Sequence, residues 1–313
     1  MNQVSRSALD RLLECTADAQ VRIAARQAAD RSAGREHAIL PEMQEFLRAM
    51  PNHLARSSLC APIARGRRTF HRETPLVTRA DVVMTYTGEQ LDEADADLLL
   101  QLIYHARLFP LGVAVTVNRA ALLRAMGRNT GKSDYAWLHR RIKAMTVATL
   151  FIEARKPDGT IKYRVGDTEG FHIVQRFAYD DKSQIYKFIL DSQWATLFSN
   201  HEFALIDWGK RLQMRRGHEI AKALQRLVAT SSDSVQRYAL EWLKDKMQYT
   251  GRMRDFKTAL SRATAELKRV EIALGEIETS TKGREQLVLR IMPRSKPGSA
   301  ASRHRDSIAL VSG

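Results

Sequence analysis

The chain has 313 residues, 44% of them hydrophobic, and its 50 Lys and Arg against 35 Asp and Glu give a net charge of +15. No apolar run reaches the roughly 20 residues that span a bilayer, and only Cys15 and Cys60 are present, which excludes a disulfide framework and a cysteine-based zinc site. The N-terminus lacks the apolar core of a signal peptide. We therefore expect a cytoplasmic protein without membrane contact, whose excess positive charge predicts nucleic acid as a partner.

The N-terminal third of the sequence predicts helices, then an arm, then an acidic helix. Residues 7–36 indicate one or two helices, and the basic, proline-containing stretch 51–80 indicates an extended arm or linker. A strand at 82–87 leads to a helix that ends near Arg107. Its first turns carry four acids, Asp92, Glu93, Asp95 and Asp97. Their spacing lacks the glycine and the terminal glutamate of a calcium loop, so we expect a solvated helix start.

The middle of the chain alternates helices with short strands. In order, the pattern predicts a strand at 113–117, a helix at 119–126 capped by Asn118, a turn at 127–132, a helix at 133–147, a hairpin from 149–154 and 160–165, two further strands that extend the same sheet, and a short helix at 191–200.

The same order then recurs in the last third. A helix at 219–231, a strand at 235–240, a helix at 241–247, a turn, a helix at 252–269 and a second hairpin follow one another. Helix, strand, helix, turn, helix and hairpin is the plan of a winged helix, which is a helix-turn-helix variant. The four tryptophans, Trp137, Trp194, Trp208 and Trp242, are expected to anchor the cores.

The stretch "GRNTGKS", from Gly127 to Ser133, resembles a nucleotide-binding loop but is one residue short of the G-x-x-x-x-G-K-[ST] pattern. A phosphate-binding loop follows a buried strand, whereas a predicted helix precedes this stretch. We therefore interpret it as the turn between two helices. An NTP-dependent enzyme remains the alternative from a different class, and no catalytic constellation, metal site or cofactor site is otherwise indicated.

The apolar stripes of the two last helices orient their basic residues. Placing Leu138 and Ile142 inward in the first unit, and Phe256 and Leu260 inward in the second, turns residue types outward that bind phosphates and base edges. The predicted DNA-binding residues of the first helix are Lys132, Ser133, His139, Arg140 and Lys143. Those of the second are Arg252, Arg254, Lys257, Thr258, Ser261 and Arg262. The hairpins add Lys162, Arg164 and Lys282.

Two stretches resemble a known family. "LRAMPNHLARSSL" (47–59) and "MTYTGEQLDEADADL" (84–98) are similar to the start of the shared region of TrfA-type plasmid replication initiators. The order of elements from about Met50 to Leu289 also resembles that family. The resemblance implies a tandem winged-helix protein without ATPase activity, which binds iteron repeats at a plasmid origin, promotes opening of adjacent AT-rich DNA and helps to load the host helicase.

The resemblance further implies partners and an oligomeric state. They are the host helicase and initiator, the sliding clamp, and a homodimer in equilibrium with a DNA-active monomer whose dimers restrain copy number. The clamp-binding motif Q-L-[SD]-L-F of some members is poorly matched by "QEFL" at residues 44–47.

We therefore predict an α+β fold with two tandem winged-helix domains. The boundaries are 1–72 for an N-terminal helical region and basic arm, 73–200 and 201–293 for the two winged helices, and 294–313 for a disordered basic tail. A tandem winged-helix transcriptional repressor that acts at its own promoter is the nearest alternative function.

Overall fold

The computed structural model describes residues 40–41, 43–63, 68–167, 169–199 and 202–293. The predicted N-terminal helices, the centre of the basic arm and the predicted tail lie outside these residues. Within the described ranges the chain forms nine helices and fifteen strands. None of these helices is long and apolar enough to cross a lipid bilayer.

Much of the segment that the sequence predicts to be an extended arm is instead built into the fold. It contains strand β1 (Leu47–Pro51), helix α1 (Asn52–Arg56), strand β2 (Cys60–Ala61) and strand β3 (Phe70–Pro75). β1 pairs antiparallel with a strand at residues 203–207, so that Met50 lies opposite Ala204. Because Ala49, Met50 and Leu54 are fully buried, this segment contributes to the core and does not run over the surface.

The first winged helix follows the predicted order. Its elements are β4 (Val82–Glu89), β5 (Leu91–Asp92), α2 (Glu93–Ala106), β6 (Val115–Asn118), α3 (Arg119–Ala125), α4 (Lys132–Val147), β7 (Thr149–Arg155), β8 (Ile161–Val165), β9 (Phe171–His172), β10 (Arg176–Asp180), β11 (Ile185–Ile189) and α5 (Trp194–Phe198). The predicted cap of α3 is confirmed, because the Asn118 side chain accepts hydrogen bonds from the amides of Ala120 and Ala121 at 2.9 and 3.1 Å.

The prediction that two strands after the wing extend the same sheet holds for β9 and is wrong for β10 and β11. One sheet has the order β3-β4-β7-β8, with β9 also on β7, whereas β10 and β11 form a separate sheet with β6. In that second sheet Tyr186 lies opposite Val117 and Phe188 opposite Val115. All four side chains are buried. The pairing with β6 therefore places the alternating apolar residues of β11 in the core.

The second winged helix is confirmed as a repeat of the first. From Phe203 onward the elements are β12 (Phe203–Asp207), whose buried residues Ala204 and Ile206 belong to the first core, and then α6 (Trp208–Gln213), α7 (Glu219–Val228), β13 (Val235–Ala239), α8 (Leu240–Lys246), α9 (Met253–Arg269), β14 (Ala273–Thr279) and β15 (Glu285–Ile291). The sheet order is β13-β15-β14, so the wing hairpin β14–β15 is closed on one side by the short strand β13. Strand β12 and helix α6 were not predicted.

The buried apolar residues form two clusters. The first runs from Leu40 to Trp208 and the second is formed by residues 214–289, with helix α6 between them. Trp194 and Trp208 are buried core anchors, as predicted. Trp137 and Trp242 are half-buried: Arg128 stacks over Trp137, and Trp242 stacks on Tyr238.

The stretch that resembles a nucleotide-binding loop is the turn between α3 and α4. Gly127 has a φ of +66°, which is the left-handed conformation that commonly ends a helix. Its amide donates to the carbonyl of Arg124 at 2.9 Å, and the amide of Arg128 donates to Leu123 at 2.9 Å. The turn therefore satisfies the last carbonyls of α3 and begins α4 at Lys132.

Candidate nucleic-acid interface

Helix α4 is held in place by one apolar face and shows a polar face to solvent. Leu138, Ile142 and Met145 are fully buried. The residues that the sequence places outward are exposed, namely Lys132, Ser133, Ala136, His139, Arg140 and Lys143. The structure thus brings the predicted contact residues of the first unit onto one helix face. DNA contact by these residues stays a prediction.

His139 differs from its neighbours on this face because its ring contacts a cluster of aromatic side chains. Its Nδ1 lies 3.1 Å from the hydroxyl of Tyr186, and its ring packs against Phe177 and Tyr179 with centroids 5.7 and 6.1 Å apart. Tyr179 and Tyr186 are themselves 4.6 Å apart. The sheet β10-β11-β6 therefore supports the middle of α4, and the Nε2 atom of His139 is the one left to meet a ligand.

Helix α9 repeats the arrangement in the second unit. Phe256, Leu260 and Leu267 are fully buried. Arg252 is the residue before the helix and is exposed, as are Arg254, Thr258, Ser261 and Arg262. Arg254 is the most open of them, with 86% of its side chain accessible. The second recognition face is therefore continuous over more than two helical turns.

Some of the predicted contact groups of α9 already have partners within the chain. The hydroxyls of Thr258 and Ser261 donate to the carbonyls four residues earlier, at 3.2 and 3.0 Å. Each hydroxyl oxygen retains acceptor capacity. Lys257 pairs with Glu285 of β15 at 2.5 Å, so this lysine links the recognition helix to its wing.

The predicted wing residues fall into two groups. Lys282 is exposed at the tip of the hairpin β14–β15, next to Gly283. In the first wing, Lys162 pairs with Glu202 at 2.5 Å, and Arg164 pairs with Glu153 at 2.8 Å. Lys282 is thus available for a phosphate without breaking an ion pair, whereas the two first-wing residues must exchange one partner for another.

The acidic start of α2 is not solvated, which corrects the prediction. Asp92 does cap the helix, since it accepts from the amides of Ala94 and Asp95 at 2.9 and 3.0 Å. However, Glu93, Asp95 and Asp97 are at most 7% exposed. Each of these three carboxylates is neutralised by buried or partly buried cations, because an unpaired charge would be too costly there.

Five cations surround these acids, and we call the whole set the α2 charge cluster. It consists of Asp92, Glu93, Asp95 and Asp97 of α2 and its cap, together with Glu89, Arg68, Arg141, Arg211, Lys222 and Arg226. Arg141 of α4 binds Asp95 at 2.6 Å and Glu89 at 2.8 Å. Arg226 and Arg211 both bind Glu93, and Arg211 also binds Asp97. One acidic helix therefore holds α4 of the first unit and α6 and α7 of the second.

The pKa shifts of Glu93 and Arg141 show that their ion pairs stabilise the charged forms of both side chains. Burial alone would raise the pKa of Glu93, but Arg226 and then Arg211 outweigh it, so that its pKa is lowered. Burial lowers the pKa of Arg141, and the interactions with Asp95 and Glu89 reverse this into a net increase. Asp92 is the exception, because burial and then the negative charge of Asp95 raise its pKa to about 6 and so disfavour its charged form.

The cluster includes one basic residue of the predicted basic arm and one of the predicted recognition helix α4. Arg68, in the predicted basic arm, binds Asp95 at 2.7 Å and also binds Asp92. Arg141 is 1% exposed. The signal for Arg141 was present in the sequence, because it lies three residues after Leu138 and next to Ile142, on the inward stripe of α4.

In the described part of the chain, no three His, Cys, Asp or Glu side chains are grouped so that they could hold a metal ion. Cys60 is buried, and burial raises the pKa of its thiol to about 12. A thiol in that state is a poor nucleophile and a poor metal ligand.

No known protein-family profile matches the chain, and no curated protein matches it. Among solved structures it is similar to the selenomethionine derivative of domains 2 and 3 of RctB, with a TM-score of 0.53 and 11% sequence identity over 78% of this chain and 99% of that chain. A second crystal structure of the same RctB domains gives a TM-score of 0.45 at 11% identity, over 75% of this chain and 95% of that chain.

At this level of identity the first similarity is one of fold. It agrees with the α+β, tandem winged-helix arrangement that the elements and sheets define. Membership of the TrfA-type family in particular stays a prediction.

Proposed function

We propose that the protein is a replication initiator that binds duplex DNA through both winged-helix units. The observation that carries the proposal is the recurrence of one arrangement: in each unit an exposed basic helix face follows a helix-turn-helix turn and precedes a wing. A single basic helix face is common on soluble proteins. Two such faces at equivalent positions of a repeated DNA-binding fold are much less so.

The resemblance to TrfA-type initiators supports the finer part of the proposal. Its first stretch, residues 47–59, forms β1 and α1 and contributes to the first core, and its second, residues 84–98, contains most of β4 and the acidic start of α2. We propose that the protein binds iteron repeats, that binding energy from phosphates helps to open AT-rich DNA, and that the host helicase is then recruited. A monomer–dimer equilibrium and contacts to other host replication proteins belong to the same proposal.

In this mechanism α4 and α9 enter two major grooves on one side of the duplex. Arginines and hydroxyl groups on the helix faces meet base edges, and the lysines at the helix starts and wing tips meet phosphates. Nucleotide hydrolysis has no place in it. Robust ATP turnover that disappears in Lys132→Ala would show that the turn at 127–132 serves an enzyme.

The test is a footprint of the purified protein across the replicon that encodes it, at two salt concentrations and with a probe specific for single strands. Regularly spaced, salt-sensitive protection beside reactive bases in an AT-rich stretch is the result expected of an initiator. Protection of a single promoter palindrome without any opening would instead identify a transcriptional repressor. Absence of salt-sensitive protection would remove the DNA-binding proposal altogether.

A further inference from the structure

The connecting segment, residues 211–220, runs from the end of α6 to the start of α7 and leads from the first core, which ends at Trp208, into the second, which begins at Met214. The sequence pattern does not single it out. It carries Arg215 and Arg216, both exposed, and a turn at Gly217 with a φ of +86°. Neither arginine side chain forms an ion pair with a residue in the described ranges. Within the described part of the chain, both are therefore cations without an acidic partner, where the chain passes from the first core to the second.

The segment borders both helix-turn-helix turns. A cleft of about 590 Å³ is lined on one side by Gly127, Arg128 and Asn129 of the first turn and on the other by Leu212, Arg215 and Arg216. A second cleft is lined by residues 217–220 and by residues 248–251, which form the turn before α9. The connecting segment thus passes between the two turns that lead into the recognition helices.

The segment is also held rigidly against the second recognition helix. The amide of Arg215 donates to Glu266 of α9 at 2.7 Å, and Arg269 donates to the carbonyl of Gln213 at 2.7 Å. Glu266 is fixed in turn by Arg269. On the other side, a Cβ atom at Gly127 would lie 3.4 Å from Leu212, so the segment is packed closely against the first turn.

The charged residues that line the first cleft are six cations and five acids, which leaves one positive charge in excess. Asp92, Glu93 and Asp97 are engaged in the α2 charge cluster, and Asp134 is engaged by Arg128 at 3.1 Å. Glu219 also lines this cleft, at the first turn of α7, where the helix dipole favours an acid. Among the described residues of this cleft, Arg215 and Arg216 are therefore the cations without an acidic partner, and they outnumber the one unpaired acid.

We propose that Arg215 and Arg216 bind the phosphates on either side of the minor groove that separates the two half-sites. This inference rests on the proposed function, because it requires α4 and α9 to occupy successive major grooves. Half-sites one turn apart are about 34 Å from centre to centre, and the backbone between them crosses the junction of the two units. Cations held rigidly at that junction contact the backbone without reading bases, and they fix the register of the two units on the DNA.

The test compares three proteins on a duplex that the wild type selects from a random library. Arg215→Gln/Arg216→Gln removes the proposed contacts. Arg79→Gln/Arg237→Gln is the matched control, since both arginines are exposed and line a cleft at the opposite end of α7. Affinity is measured between about 0.05 and 0.3 M salt, and thermal unfolding checks that each variant is folded.

Two lost phosphate contacts predict a slope of log K against log salt that is less steep by about 1.8, and an affinity that is roughly 30-fold lower at 0.15 M salt. The loss is expected to be the same for selected and scrambled duplexes. The control is expected to bind like the wild type. Replacing the phosphates of the central minor groove with neutral methylphosphonates should weaken the wild type but leave the double variant unaffected.

Failure of the proposed function and failure of the junction contact would give different results. Selection of no duplex and absence of salt-dependent binding by the wild type would overturn the proposed function. Tight, salt-dependent binding by the wild type, with the same slope and affinity in Arg215→Gln/Arg216→Gln, would leave that function standing and overturn the junction contact. A sequence-selective loss in the double variant would also contradict the proposal, because it would mean that these arginines read bases.

Discussion

Lys246 of α8 is a fully buried lysine whose ammonium group donates to the carbonyl of Ser57 at 3.1 Å. Burial lowers its pKa from 10.5 to about 7, and the neighbouring charge of Arg226 adds to the decrease. A cation in such a place costs stability whenever it is protonated. The residue therefore makes the fold sensitive to pH near neutrality.

The sign of this effect follows from the two pKa values. Below pH 7 the lysine is protonated in both the folded and the unfolded protein, so the full cost of burial is present. Between pH 7 and 10.5 the unfolded chain holds more protons than the folded one, and the free energy of unfolding from this group rises with pH. We expect Lys246→Met to have a higher free energy of unfolding than the wild type below pH 7. This difference should disappear by pH 10.

Denaturant unfolding at a series of pH values measures this difference. Lys244→Met is the control, because Lys244 is only half-buried on the same helix. A difference between Lys246→Met and the wild type that stays constant from pH 6 to pH 10 would contradict the account of Lys246.

Arg254 and Lys132 test the division between base and phosphate contacts. Arg254→Ala is expected to cost about 1–3 kcal/mol on the selected duplex and to relax the preference at one base pair, if the arginine binds a guanine. Lys132→Ala is expected to weaken binding to all duplexes alike and to reduce the salt slope by about 1. Competition binding against singly substituted duplexes distinguishes the two patterns. Unchanged affinity in Arg254→Ala would remove this residue from the interface.

At the scale of the element, helix α4 carries two adjacent arginines with different environments. Arg140 is exposed on the outward face, whereas Arg141 is buried and bound to Asp95 and Glu89. Removing Arg141 would take one cationic partner away from Asp95 and from Glu89, and the Asp95 carboxylate is fully buried. The two positions therefore separate binding from folding within one helix.

We expect Arg141→Met to lower the free energy of unfolding by about 3 kcal/mol. We expect Arg140→Met to leave stability unchanged within about 0.5 kcal/mol and to weaken DNA binding. Urea unfolding and a duplex-binding measurement on both variants test the pair. Equal stability of the two variants would mean that the Arg141 ion pairs do not hold α4.

The elements themselves were largely predictable, because helices α2, α3, α4, α7, α8 and α9 and both wings have clear periodicity and turn residues. The partner of β11 was not. Its alternating pattern predicts a strand with one buried face, but the same pattern suits pairing with β8 or with β6, and β6 lies some 70 residues earlier. Likewise β1 completes a pair with β12, about 150 residues later, which no local signal in "LRAMP" reveals.

The sequence predicts the exposed basic faces of the two recognition helices, but it does not predict the ion pairs of the α2 charge cluster. An apolar stripe is enough to orient the exposed basic residues of α4 and α9. The acids of α2 look like a solvated helix start because their cations come from four other parts of the chain, including Arg211 and Arg226 of the second unit. Such burial depends on tertiary contacts, which single-sequence charge patterns do not contain.

At the scale of the whole molecule, the α2 charge cluster joins the two units. Glu93 is 1% exposed and binds Arg211 and Arg226, which are both fully buried. Arg226 also donates to the carbonyl of Cys60 at 2.7 Å. The relative placement of the two recognition helices therefore depends on a carboxylate in the first unit that neutralises two arginines from the second.

We expect the wild type to unfold in one cooperative transition and Glu93→Gln to unfold in two, with the first transition at a lower temperature. The physical reason is that two buried guanidinium groups lose their shared counter-charge, at a cost of about 3–5 kcal/mol. Calorimetry measures this, with Glu241→Gln, an exposed acid in the first turn of α8, as the control. A single transition in Glu93→Gln at the wild-type temperature would contradict the joining role of the cluster.

The central claim is that two winged helices of one chain hold one duplex, and a hydroxyl-radical footprint on the selected duplex tests it most directly. The wild type is expected to protect two stretches about one helical turn apart. Arg140→Gln/Lys143→Gln should lose one of them, and Arg254→Gln/Arg262→Gln should lose the other. A single protected stretch in the wild type, or loss of the same stretch in both variants, would contradict the claim that each unit reads its own half of the site.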